Sequence, residues 1–242
     1  MRIALFATCV VDQVVPSVGL AVLDVLERVG HRAEFPQAQT CCGQPFFTAG
    51  HGAEAASLAR ATLDALEGFD AVVVPSGSCA SMIRNHYREL FPEHDPLQPR
   101  IRALAERTFE FSEFLVEKLG VSGWAAEAGN DRPITYHDGC HSLRELGLRD
   151  APRKLLAGCR LTECADGGQC CGFGGVFSVK YQHLSAAMGR SKAEALRATG
   201  ARTVVSADPS CLIHLRGILD HEGIELETVH LAEFLAGRAG TE

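Results

Sequence analysis

Val72-Val73-Val74-Pro75-Ser76-Gly77-Ser78-Cys79 returns later in the chain as Val204-Val205-Ser206-Ala207-Asp208-Pro209-Ser210-Cys211. Each copy is a run rich in β-branched residues, which suits a buried strand. Each then breaks into a turn that delivers a cysteine. Working outward, three more cysteines keep the same register, about 130 residues apart. Cys9 matches Cys140, and Cys41-Cys42-Gly43 matches Cys170-Cys171-Gly172. The apolar run Ile3-Ala4-Leu5-Phe6-Ala7-Thr8 leads into Cys9, and Ile134-Thr135-Tyr136-His137-Asp138-Gly139 leads into Cys140. Even the unit ends rhyme, Phe111-Ser112-Glu113-Phe114-Leu115 against Leu231-Ala232-Glu233-Phe234-Leu235. Self-similarity of this length is a structural duplication. Two tandem domains are expected, 1–122 and 133–242. The seam falls between Val121 and Arg132, where Gly123, Gly129, Asn130 and Asp131 precede Pro133.

Within each half, strand and helix alternate. Arg2 to Thr8 reads as a strand. Val18, Val22, Val25, Leu26 and Val29 then recur at helical spacing from Ser17 to Val29, ahead of Gly30. A second strand at Arg32 to Phe35 feeds the Cys41-Cys42 loop. An alanine-rich helix from Gly50 to Leu66 and the strand Ala71 to Val74 follow. In the second half the expected strands are Ile134 to Tyr136, Arg160 to Cys164 and Thr203 to Ser206. The expected helices are Pro152 to Leu156, Val179 to Thr199, Cys211 to His221 and His230 to Leu235. This alternation predicts an α/β fold of two similar units with mostly parallel sheets. Ligands of such sheets gather at the carboxyl ends of the strands, which is where the Cys-Cys-Gly loops and the other cysteines fall.

Composition narrows the function. The 242 residues carry a net charge of −7 without a basic run, which argues against nucleic acid or anionic lipid as a partner. No stretch is apolar enough to span a membrane, and the apolar N-terminus lacks a convincing cleavage site, so a cytoplasmic, non-integral protein is expected. In a reducing compartment ten cysteines point to metal ligation or redox chemistry rather than a disulfide framework. Adjacent cysteines such as Cys41 and Cys42 also pair with each other only through a strained backbone.

Four thiols per half is the number required by a tetrahedral metal or a four-iron cluster. The candidate ligands are Cys9, Cys41, Cys42 and Cys79, and Cys140, Cys170, Cys171 and Cys211. Structural zinc sites bring ligands in close C-x2-4-C pairs. Here the spacing is long and two ligands are adjacent, which suits different iron atoms of one cluster, with zinc as the alternative. Gly43 and Gly172 allow close backbone approach, and amides there can donate to sulfur. The glycine-rich run from Gly167 to Gly175 lacks the G-x-G-x-x-G and Walker patterns, so it reads as a collar rather than a phosphate loop. Cys159 and Cys164 have no counterparts in the first half and read as core cysteines. His137 and His141 flank Cys140 as possible metal or proton partners, weighed against ordinary solvated or hydrogen-bonded histidines. Asp12, Gln44 and Asp138 stand beside the cysteines, either for a bound partner or merely solvated. No residue is assigned as catalytic, and neither a flavin nor a nicotinamide fingerprint is visible.

Phe6-x-Thr-Cys-x-x-Asp12, Cys41-Cys-Gly-Gln-Pro45, Pro75-Ser-Gly-Ser-Cys79, Cys170-Cys-Gly-Phe-Gly-Gly-x-Phe-Ser178 and Val229-His-Leu-Ala-Glu-Phe234 together resemble the cysteine-rich CCG-domain family, and within it the lactate utilization protein A family. The resemblance runs over nearly the whole chain. It implies an iron–sulfur oxidoreductase subunit in L-lactate degradation, which oxidises L-lactate to pyruvate, with electron transfer through cysteine-ligated [4Fe-4S] clusters. It also implies companion lactate utilization proteins B and C, with a small 2-hydroxy acid substrate possibly bound at a partner. The wider family includes heterodisulfide reductase subunits and ends each set in C-x-x-C. Met82 and His214 stand where that last cysteine is expected. Two alternatives stay open: a thiol–disulfide oxidoreductase like those relatives, and a zinc-stabilised assembly module without redox activity.

Overall fold

The computed structural model describes residues 1–124 and 132–238. Gly129, Asn130 and Asp131 of the expected seam, and the last four residues of the expected second domain, lie outside the described residues. The chain divides into two compact units, Met1–Phe111 and Ser112–Glu242.

The first unit carries four parallel strands, β1 (Ile3–Leu5), β2 (Ala33–Glu34), β3 (Ala71–Val74) and β4 (Thr108–Glu110), in the order β2-β1-β3-β4. The second unit repeats the plan with β5 (Pro133–Tyr136), β6 (Arg160–Leu161), β7 (Thr203–Ser206) and β8 (Glu227–His230), in the order β6-β5-β7-β8. The expected α/β architecture with parallel sheets is therefore present twice. In both sheets the chain crosses from the edge strand back past the first strand to pair on its other side, and the two central strands end side by side.

Both central strands of each sheet are sealed on both faces, as parallel strands must be. Ile3, Ala4, Leu5 and Val72 to Val74 are 0–2% exposed, and Ile134, Val204 and Val205 are fully buried. The helix Pro16–Arg28 begins with proline in its first turn, where the missing amide costs nothing. It lays Val18, Val22, Val25 and Leu26 on the first core. Gly30 follows with φ +81°, the left-handed conformation that ends helices. In the second unit the helices Gln182–Arg197 and Pro209–His221 bury Ala193, Leu196, Leu212, Leu215 and Leu219.

Three departures from the sequence expectation have physical reasons. The fourth strand of each sheet is unsignalled because it is short, mixed in polarity, and runs straight into the helices at Phe111 and Leu231 without a turn. The single helix expected from Val179 to Thr199 is two, Val176–Lys180 and Gln182–Arg197. Tyr181 breaks it with φ −127° and ψ 53°, while its amide closes onto the Phe177 carbonyl at 2.8 Å. The strand expected to reach Cys164 stops at Leu161, which frees the chain for the glycine-rich loop.

Candidate metal centres

Every strand end that borders a centre turns into a helix, and the turn aims a sulfur. After β1, Thr8 caps the helix Cys9–Gln13 by accepting the Val11 amide at 3.3 Å, so Cys9 stands at the first helical position. After β3, Ser76 caps the helix Gly77–Ser81 by accepting the Cys79 amide at 3.5 Å. In the second unit Cys140 opens the helix Cys140–Arg144, and Asp208 caps Pro209–His221 by accepting the Ser210 amide at 3.1 Å. Capping at a β-to-α turn is the ordinary reason for Ser, Thr and Asp here. Its consequence is that two thiols per unit meet above neighbouring strand ends.

The Cys-Cys-Gly turns supply the other two. Gly43 has φ +87° and Gly172 φ +92°, a conformation that glycine adopts without steric cost. The turn folds each glycine amide back toward a sulfur: the Gly43 amide lies 3.4 Å from Cys41 Sγ, and the Gly172 amide 3.4 Å from Cys170 Sγ. The Phe173 amide adds a contact of 3.5 Å to Cys171 Sγ. Each turn is held by a different clamp. Tyr87 donates its buried hydroxyl to the Cys42 carbonyl at 3.0 Å, whereas Ser185 donates its hydroxyl to the Gly172 carbonyl at 2.8 Å.

The eight sequence-predicted cysteines are brought together as two quartets. In the first, Cys9 Sγ and Cys41 Sγ are 3.6 Å apart, Cys42 Sγ and Cys79 Sγ 3.2 Å, and Cys41 interacts with Cys42. In the second, Cys170 interacts with both Cys140 and Cys171, and Cys171 with Cys211. The burial pattern also repeats. Cys42, Cys79, Cys171 and Cys211 are buried, while Cys9, Cys41, Cys140 and Cys170 are half-buried.

Crowding the thiols splits their acidities. Hydrogen bonds from Cys42 and Cys9, with help from the Gly43 amide, pull Cys41 down to about 3. Cys140, Cys171 and the Gly172 amide pull Cys170 down to about 2. Cys9, Cys42, Cys140 and Cys171 are pushed up, each first because its proton is given to a neighbouring sulfur and then by burial. In Cys211 the hydrogen bond with Cys171 pulls down, yet burial and the Asp208 charge push it up on balance. Each quartet thus sets one favoured thiolate, Cys41 or Cys170, beside thiols that are pushed up. A cation placed among them reverses this, since metal coordination deprotonates thiols outright.

The donor set suits soft or borderline metals and iron–sulfur clusters. One more group joins it in the second unit. His137, fully buried just past β5, places a ring nitrogen, Cys171 Sγ and Cys211 Sγ all within 4.8 Å of one another. Burial pushes its pKa down to about 3, and neither ring nitrogen has a hydrogen-bond partner. An orphaned buried polar group costs on the order of 1–3 kcal/mol.

The other candidates are placed differently. His141 Nδ1 is 3.5 Å from Cys140 Sγ, and its other nitrogen is 3.9 Å from Glu145. His214 Nε2 meets the Ser185 hydroxyl at 3.4 Å, and Met82 is fully buried at the start of a π-helical turn. Cys164 is buried, with the Lys192 ammonium 3.8 Å from its sulfur, and Cys159 is half-buried, its thiol pushed up by burial. Asp12 accepts from the neighbouring Gln13 amide. Asp138 is not a solvated loop residue. It is buried and paired with Arg153 through two contacts of 2.8 Å, and Arg153 also grips Glu163 at 2.6 and 2.8 Å. Sequence reasoning passed over Asp208 and Lys192. Asp208 raises Cys140 and Cys211 through its charge. Lys192 is fully buried and fastens the loop ahead of the second Cys-Cys pair through the Asp166 and Gly167 carbonyls at 2.8 and 3.2 Å. The Asp208 signal was present in the cap position three residues before Cys211.

Two α/β units, each with a thiol quartet at the end of a parallel sheet, define a tandem cysteine-rich protein. The CCG cysteine-rich domain model matches residues 3–84 and 134–216, and the chain belongs to that family. Within it, the chain is a homologue of lactate utilization protein A. It is 36% identical over 98% of both chains to lactate utilization protein A 2 of Bacillus cereus (strain AH820). It is 39% identical to lactate utilization protein A of Macrococcus caseolyticus, over 97% of this chain and 96% of the relative. A crystal structure of a hypothetical protein from Helicobacter pylori shares the fold with a TM-score of 0.68 at 10% identity, covering 100% of this chain and 49% of that one.

Proposed function

We propose that the chain is an iron–sulfur subunit of a system that oxidises L-lactate to pyruvate. Cys9, Cys41, Cys42 and Cys79 would hold one cluster of the [4Fe-4S] type, and Cys140, Cys170, Cys171 and Cys211 the other. The observation that supports this most is the convergence of eight thiols into two like quartets, each with amides turned toward sulfur. Such clusters supply one-electron transfer when bound. The chain's own contribution is to hold the thiols in place, lower the charge cost of the thiolates through Gly43, Gly172 and Phe173 amides, and bury two sulfurs of each set.

The half-buried thiols leave one side of each centre near the surface, where electrons can be exchanged with partner proteins. The family resemblance of the sequence motifs suggests the companion lactate utilization proteins B and C as those partners, with the 2-hydroxy acid bound at one of them. No helix among the described residues is long and apolar enough to cross a membrane. Anaerobic purification with iron and sulfide counting and electron paramagnetic resonance tests the reading. The expected result is two iron–sulfur centres per chain that cycle between oxidation states. Zinc in place of iron, without visible absorption, overturns it.

A further inference from the structure

We infer that the two centres differ in their donors: the second takes the imidazole of His137 in addition to its thiolates, whereas the first is all-thiolate. This rests on reading the quartets as metal centres. Three independent observations converge on it. His137 is fully buried with neither ring nitrogen hydrogen-bonded, and one of those nitrogens completes a triangle with Cys171 and Cys211 inside 4.8 Å. The matching position of the first unit, three residues before Cys9, is Phe6, also fully buried. An apolar ring therefore satisfies the packing there, so filling space does not call for an imidazole. Finally, the buried Lys192 ammonium spends donors on the Asp166 and Gly167 carbonyls rather than on the ring.

Imidazole is a good donor to iron, cobalt and zinc. As an added neutral donor it leaves the charge of the second centre unchanged and gives one of its metal atoms a nitrogen ligand that the first centre lacks.

The test uses the full chain carrying Cys42→Ser, which silences the first quartet, loaded under argon with cobalt(II) and, separately, with iron and sulfide. Pulsed electron paramagnetic resonance on chains with ordinary and 15N-labelled histidine reads directly bound nitrogen. The expected result is a nitrogen coupling that changes with the isotope, disappears in His137→Phe, and survives in the His141→Gln/His214→Gln double variant. The last arm does not depend on whether His137→Phe folds. Absence of the coupling in the parent chain, its persistence in His137→Phe, or its loss in the double variant overturns the inference. Histidine coupling with cobalt in a chain that takes up no iron and sulfide upholds the inference while defeating the iron–sulfur reading. Iron and sulfide bound without histidine coupling does the reverse.

Discussion

Gly172 sits so close to Ser185 that a β-carbon on the glycine would lie 2.6 Å from the serine carbonyl oxygen and 2.9 Å from Met188 Cβ. At Gly43 the equivalent β-carbon would lie 3.3 Å from the Ala55 carbonyl. Both glycines have positive φ, so alanine is strained at either. At Gly172 the neighbouring backbone must also shift outright, whereas at Gly43 it need give by only a few tenths of an ångström. Gly172→Ala is expected to cost about 2 kcal/mol or more, and Gly43→Ala about 1 kcal/mol. Urea midpoints of the two metal-free variants check the order.

The duplicated quartets predict independence. Cys42→Ser and Cys171→Ser each remove a buried thiol that touches two of its neighbours. Each change is expected to remove about half of the bound iron and leave the other centre's spectrum intact. Loss of all iron from either single variant would mean that one shared site spans the chain.

Arg153 neutralises a carboxylate that has almost no access to water, since the Asp138 side chain is 1% exposed. Arg153→Ala leaves that charge unpaired and is expected to cost about 3–5 kcal/mol. Adding Asp138→Asn should recover part of the loss, as read by thermal unfolding. The same arginine, first by hydrogen bonding and then by charge, holds Glu163 below the usual carboxylate value of 4.5. A depressed carboxylate stabilises the fold above its unfolded pKa, and that contribution fades as pH falls through the lowered value. Glu163 is nearly half exposed, so the effect is expected to be only about 0.5 kcal/mol after solvent screening. Glu163→Gln should flatten this acid limb below about pH 4.5 and leave stability at pH 7 slightly reduced.

The assigned pathway has a cellular readout. A strain lacking this protein is expected to fail on L-lactate as sole carbon source and to grow normally on pyruvate. Normal growth on both would reject the pathway while leaving the iron–sulfur reading untouched.

Much of the fold was legible because its signals are local. Ala71 to Val74 and Thr203 to Ser206 are unbroken buried runs, and the observed strands keep those bounds. The eight converging cysteines were legible through their repeated register. What escaped depends on contacts between residues distant in sequence or on the absence of contacts. Asp138, a loop residue beside a cysteine, reveals its pairing only when Arg153 comes round from a later helix. Lys192 looks like an exposed helical lysine until the loop at Asp166 closes over it. His137 was open to several readings because nothing in a sequence shows that an imidazole lacks partners. The strands Thr108–Glu110 and Glu227–His230 are extended because a neighbouring strand hydrogen-bonds to them, not because of their own composition.

The turn beside Cys42 is fastened by an aromatic hydroxyl, and the one beside Cys171 by a small aliphatic one on another element. Twin sockets with unlike latches are free to drift apart: a substitution at Tyr87 loosens one and leaves its sibling untouched. Duplication thus supplied a common blueprint whose halves selection can specialise separately.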